Sequence, residues 1–248
     1  MPDFRCRATS VASFAYPQRR WYERLFLNAI MDTILSFLRR LARNNNRGWF
    51  EKNKDKYLEA KETFEHFVTV LYEDLVKIDG SLTGLDPKKF IFRIYRDVRF
   101  SKDKKPYKTN FAAAFSATGK GLGSPGYYFH LEPGDKSFVA GGLFRPAPDN
   151  LAKVRQEIDY NAEILRGIIN DKKFRRLFQG FWDGDKLKTI PRGYAADHPE
   201  VAMLKLRSFI MTHAFTDKSV TNRKFKNSLV NAFQTVRPLN LFLTEALS

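Results

Sequence analysis

The apolar residues of this chain change their spacing twice, and that change decides which class of fold is open to it. Over Thr33 to Asn44, Ile34, Phe37, Leu38 and Leu41 recur at helical intervals, with Asp32 or Thr33 placed to cap the start. Asn44-Asn45-Asn46-Arg47-Gly48 breaks that pattern. A longer helix is predicted from Trp49 to about Lys77, with Phe50, Tyr57, Phe64, Phe67, Val68, Leu71, Tyr72 and Leu75 on one stripe and a Glu/Lys-rich solvated face opposite. Past the Gly80-to-Pro87 turn region the period becomes two. Phe90, Phe92 and Ile94 alternate with Ile91, Arg93 and Tyr95, which predicts a strand. Asn110 to Ala117, Tyr127 to Leu131 and Phe138 to Leu143 predict three more, joined by Gly- and Pro-bearing loops suited to hairpins. Helical spacing then returns over Asn150 to Asn170 and Asp171 to Gly180. A short helix at Glu200 to Leu206, a strand at Phe209 to Phe215, and helices over Thr221 to Leu247 split near Pro238 complete the pattern.

The economical architecture is an α+β fold: an antiparallel β-sheet with helices packed on one face, an N-terminal helical pair and C-terminal helices. No repeat or Ser/Gly linker divides the chain. Residues 32–248 are expected to form a single domain. Residues 1–31 read as an N-terminal extension, with the natural start at Met31, because Arg5, Arg7, Arg19, Arg20 and Arg24 face only Asp3 and Glu23 there and no apolar segment of a secretory signal is present.

Net charge is +16, a field that draws polyanions and phosphorylated ligands. Its distribution matters more than its total. Between residues 93 and 108 stand Arg93, Arg96, Arg99, Lys102, Lys104, Lys105 and Lys108, against only Asp97 and Asp103. Arginine offers a planar fork that grips phosphate or carboxylate at two points, and lysine a mobile point charge. Tyr95 and Tyr107 add stacking faces and hydroxyls, and Asp97 is placed to orient an arginine. The expected ligand-binding residues are therefore Arg93, Tyr95, Arg96, Asp97, Arg99, Lys102, Asp103, Tyr107 and Lys108. His130, which alternates with Tyr128 on a strand and so can line a pocket, completes the set. Arg145, Arg155, Lys188, Arg192 and Lys205 are further cations able to complete an anion site.

Several chemistries find no support. The four histidines, His66, His130, His198 and His213, show no metal-ligand spacing. The single cysteine, Cys6, allows no intrachain disulfide and favours a reducing, cytoplasmic compartment. Gly121-x-Gly123-x-x-Gly126 matches a dinucleotide fingerprint by letter, but a strand-like Tyr127-Tyr128-Phe129 follows where a helix is needed. No Gly-x-Ser-x-Gly elbow is present. Neither metal nor cofactor is expected. The apolar run Leu25 to Leu38 is interrupted by Asn28, Asp32 and Ser36, so no membrane partner is expected.

Tyr95-Arg-Asp-Val-Arg-Phe-Ser-Lys-Asp-Lys-Lys-Pro-Tyr-Lys-Thr109 resembles the signature of the uncharacterised family called domain of unknown function 2461. Asn45-Asn-Arg-Gly-Trp49-Phe50, Gly126-Tyr-Tyr-Phe-His-Leu-Glu-Pro133, Gly141-Gly-Leu-Phe-Arg-Pro146, Leu187-Lys188 with Pro191-Arg-Gly-Tyr194 and Asp197-His-Pro199, and Pro238-Leu239 fit the same pattern in the same order. The resemblance spans about Thr33 to Leu247 and implies a compact domain; it carries no catalytic assignment.

Three readings follow for the basic segment. It binds a small phosphate- or carboxylate-bearing ligand, as a binding module or an enzyme. Alternatively it binds nucleic acid through phosphate contacts. In the third reading it is a structural or interaction element whose cations pair internally or with an acidic partner.

Overall fold

Met31 is 1% exposed and Ile30 6%, and both continue the apolar stripe of Ile34, Leu35 and Leu38. Helix α1 (Tyr16–Arg43) therefore begins well before the expected Thr33. The computed structural model describes residues 16–120 and 123–248, with side chains from Ile30 onward. Cys6 and Gly121 lie outside the described residues.

The expected long second helix is two. Asn46 caps α2 (Arg47–Lys52), its side chain accepting from the Trp49 N–H at 2.9 Å. Asn53, at φ −121° and ψ 26°, leaves helical geometry and separates α2 from α3 (Lys54–Ile78). Two short 3-10 turns, Gly80–Leu82 and Pro87–Phe90, lead out of α3.

The predicted strand over residues 90–95 does not form. The segment is extended, and Phe92 N–H donates to Ala112 O at 2.9 Å, but only single bridges join Ile91 to Ala113 and Tyr95 to Tyr107. The ladder bonds Arg96 N–H to Pro106 O and Lys108 N–H to Ile94 O do form at 2.9 and 2.8 Å, but Pro106 offers no N–H to complete the pair with Arg96. Asn45 holds the main-chain groups of Tyr107 that face away from this pairing, accepting from its N–H at 3.1 Å and donating to its oxygen at 2.9 Å.

The sheet contains β1 (Phe111–Phe115), β2 (Gly126–Leu131), β3 (Ser137–Leu143) and β4 (Phe209–Phe215), antiparallel and ordered β1-β2-β3-β4. Its period-two pattern divides the faces. Phe111, Ala113, Phe115, Tyr127, Phe129 and Leu131 are buried, against α3 and α9 (Phe225–Glu245). Phe64 stacks on Phe111 and lies near Phe129; Phe233 meets Phe115 and Tyr127 edge-on. The α+β class with helices on one sheet face is thus the observed one.

Between β3 and β4 the expected single helix divides at Asn161 into α4 (Pro148–Tyr160) and α5 (Ala162–Asn170); α6 (Lys172–Leu177) and α7 (Val201–Leu204) follow. A short α8 (Asp217–Val220) precedes α9. Asp217 accepts from Arg39 at 2.8 Å and from the main-chain N–H groups of Gly134 and Asp135, tying α1 and the β2–β3 turn to α8. α9 runs unbroken through Pro238, against the expected split. Pro238 and Gln234 are both exposed, so water can serve the carbonyl the proline frees, while buried Phe233, Val236, Leu239 and Leu243 hold the helix to the sheet.

Gly141 and Gly142 let α9 and β4 come close. A Cβ on Gly141 would overlap the Val236 side chain. Gly142, at φ +121°, would drive a Cβ into the Phe209 carbonyl oxygen, and this backbone conformation costs a non-glycine residue energy of its own. Gly142→Ala is expected to lose on the order of 3 kcal/mol of stability in urea unfolding, whereas Gly80→Ala, whose Cβ meets nothing within 4 Å, stays within about 0.5 kcal/mol.

Candidate functional site

Among the described residues no helix covers the sheet's second face. Register places Ala112, Ala114, Tyr128, His130, Phe138, Ala140, Gly142, Ile210, Thr212 and Ala214 on it. Small residues along the middle of that face leave a floor without tall side chains, and larger ones wall it: Phe92 beside β1, Phe138, and Phe144 near Trp182, whose rings lie 5.9 Å apart. The resulting groove has a cavity volume of about 850 Å³, within the range that takes a drug-sized molecule. Lys120 and Lys136 line it.

The basic segment runs past one end of this groove, and it divides into two parts. In the loop after Tyr95 the two arginines are internally paired. Arg96 donates to Asp103 at 2.7 Å, to Lys105 O at 3.2 Å and to Ser101 Oγ at 3.5 Å. Arg99 grips Asp97 through Nε and Nη2, the latter at 2.6 Å, and these bonds hold the Asp97 carboxyl below the usual carboxylate range. Asp103 is lowered likewise, first by Arg96 and then by the Lys105 N–H. Lys104 donates to Val98 O at 3.1 Å. Lys102 is exposed. Tyr107 is buried and stacks on Phe50 at 3.9 Å, with exposed Tyr95 5.5 Å away, so both tyrosines pack the loop onto α2. Arg93, Arg96, Arg99, Lys102 and Lys108 do not line the groove as one set.

Lys108 is different. Its Nζ lies 5.5 Å from the Phe92 ring centroid, and the Lys120 Nζ lies 5.8 Å from the same ring. Phe92 and Lys120 line the groove, which puts Lys108 at its rim. Among the described residues no carboxylate pairs with Lys108, Arg93 or Lys120; Lys120 donates to Ile91 O at 3.1 Å. Burial lowers the Lys108 ammonium below its ordinary value, and the charges of Arg93 and Lys120 lower it further. Lys108 is thus partly desolvated beside two exposed like charges, Arg93 and Lys120, which disfavour its ammonium form.

His130 lies on the same face and joins a hydrogen-bonded line. Its ring stacks on Phe138 at 4.7 Å. With the proton on Nε2, it donates to Glu132 Oε2 at 2.9 Å, and Nδ1 accepts from the Tyr128 hydroxyl at 3.1 Å, with the Asn110 amide nitrogen at 3.4 Å. Thr109 donates to the other Glu132 oxygen at 2.9 Å. Burial is the main reason the imidazole titrates below its ordinary value; Glu132 opposes the shift and Lys108 adds to it. Burial, then Glu132, push the Tyr128 hydroxyl up to about 12.

The other cations are elsewhere. Arg155 donates to Leu204 O and Leu206 O, Arg145 lies 3.5 Å from Asp185, and Lys188 and Arg192 are exposed. Phe92, Lys120, Tyr128, Glu132, Phe138 and Trp182 were missing from the expected site. The alternation that placed Tyr128 with His130 also aligns Phe138 with Ala140, so part of the signal was there. That the opposite face goes uncovered depends on helix packing, which spacing does not reveal.

The family described as conserved hypothetical protein DUF2461 matches residues 33–242, and the chain belongs to it. Searches of the curated proteins and of the solved structures returned no match.

Removing the Arg96 fork leaves Asp103, Ser101 and the Lys105 carbonyl without their shared donor. Arg96→Ala is expected to loosen the loop without unfolding the sheet: trypsin cleavage at Arg99, Lys102 and Lys104 accelerates severalfold while far-UV circular dichroism is unchanged. Cleavage at the wild-type rate would show that Arg96 does not hold the loop.

Proposed function

We propose that this protein binds a small anionic ligand with a flat apolar body, laid along the open sheet face with its phosphate or carboxylate group at Lys108, Lys120 and Arg93. The reading rests on one observation: Lys108 is partly buried at the mouth of an apolar groove, with two further cations acting on it and no carboxylate pairing any of the three among the described residues. An anion relieves that repulsion. The Ala/Gly floor and aromatic walls supply the apolar contact. Tyr128 lines the groove, and its hydroxyl is held by His130 at 3.1 Å.

A second reading rests on the loop between Arg96 and Pro106. Phe100 is 95% exposed there, amid Arg99, Lys102, Lys104 and Lys105. An unpaired base can stack on such a ring while lysines meet phosphates, with affinity falling steeply as salt rises. The groove plays no part in this reading.

Thermal unfolding with 1-naphthyl phosphate, 1-naphthol and inorganic phosphate tests the first reading. At about a hundredfold excess over Kd, naphthyl phosphate is expected to add about 2.7 kcal/mol, or roughly 5–10 °C in Tm for a chain of this size. Naphthol and inorganic phosphate add much less. Lys108→Gln removes the gain, and Arg99→Gln keeps it. Equal shifts from naphthol and naphthyl phosphate, or full binding by Lys108→Gln, would overturn the reading.

A further inference from the structure

The line Glu132–His130–Tyr128 is built so that one proton reverses its direction. With His130 neutral, Nε2–H is held by Glu132, and Nδ1 must accept. The Tyr128 hydroxyl then spends its proton on His130 and shows the groove only lone pairs, which repel an anion. With His130 protonated, both ring nitrogens donate. Nε2–H stays on Glu132, now as a charge-assisted bond, Nδ1–H points at the Tyr128 oxygen, and the Tyr128 proton is free to turn into the groove. Asn110 can follow by presenting its amide oxygen to Nδ1–H in place of its nitrogen.

From this geometry we propose that the groove takes its anion together with a proton, His130 holding the proton and Tyr128 donating the hydrogen bond to the ligand. The proposal rests on the groove-binding reading above and adds the coupling to it. No covalent step is involved: one proton passes from solvent to His130 Nδ1 as the ligand enters.

The groups facing His130 define the sign. On its own strand stands Tyr128, and just past the strand's end Glu132, which favours the imidazolium. From the segment before β1 come Lys108, which disfavours it, and uncharged Asn110; from β3 comes the Phe138 ring. An anion at Lys108 cancels the one positive charge that opposes protonation and adds an acceptor for Tyr128. His130 therefore has a higher pKa in the complex than in the free protein. By linkage, affinity rises as pH falls through the interval between the two values, is flat above the bound value and flat below the free one, and grows about tenfold for each pKa unit that binding adds.

An arylsulfonate dye, 1-anilinonaphthalene-8-sulfonate, is the probe, because its sulfonate stays ionised across the range and any pH effect belongs to the protein. Kd is measured by fluorescence between about pH 8 and pH 5, with near-UV circular dichroism to confirm an intact fold. In the unsubstituted protein, affinity is expected to rise severalfold on acidification, and the His130 imidazole resonance to titrate at higher pH with dye than without. His130→Gln is expected to bind with a Kd that no longer changes with pH; Tyr128→Phe, which keeps the ring and loses only the hydroxyl, is expected to bind with a Kd that changes less with pH than in the unsubstituted protein, because the anion's charge still acts on His130 through Lys108. Dye binding that depends on Lys108 yet is independent of pH would overturn the coupling and leave the groove reading intact. So would a pH dependence that survives in His130→Gln. Dye binding indifferent to Lys108→Gln and Lys120→Gln would overturn both.

Discussion

The close seat of α9 on β3 is the contact on which the rest of the molecule depends. Gly141 leaves room for Val236, and Gly142 adopts a left-handed conformation that brings the β4 backbone in beside it. With that contact made, α3 and α9 cover β1 to β3 on one face of the sheet, aromatic against aromatic, while Phe178 and Phe181 meet β4. Among the described residues the second face is left to small residues with aromatic walls. An antiparallel sheet tolerates such one-sided cover, because each strand alternates between the two environments. Here the uncovered side is a groove rather than a flat polar surface, and this is where the fold and the proposed function meet.

Charge supplies the second half of the argument. The basic segment looked like one cluster in sequence, but the fold sorts it. Arg96 and Arg99 find Asp103 and Asp97 within the same loop and stiffen it. Lys108 is carried to the rim of the groove, beside Arg93 and Lys120, where burial and like charge act together. Exposed pairs such as Arg99 with Asp97 contribute little to stability. An unpaired, partly buried lysine beside further cations is a standing cost, and it is on this cost that the ligand reading depends.

The sequence was informative wherever a period could be counted. The strands at Tyr127–Leu131, Phe138–Leu143 and Phe209–Phe215, and the apolar stripe of α3, followed from alternation and helical spacing. The misread elements share a different cause: a single side chain or a tertiary contact outweighed the local pattern. Asn53 and Asn161 break helices that spacing runs together. Pro106, with no N–H to give the ladder, keeps residues 90–95 from becoming a strand. Packing of Phe233 and Leu239 carries α9 across Pro238. The site was half legible for the same reason. Lys108, Arg93 and His130 announced themselves by type and position, whereas Lys120, Phe92 and Trp182 enter only through the way the chain folds around a face that no helix covers.

The most direct measurement is a nuclear magnetic resonance titration of the isotopically labelled protein with 1-naphthyl phosphate, following each residue separately. The account predicts that Lys108, Lys120, Tyr128, Phe138 and Ala140 shift together and saturate at one Kd, with Phe100 and Arg99 unmoved. Shifts confined to the Phe100 loop, or none on the open face at saturating ligand, would contradict it.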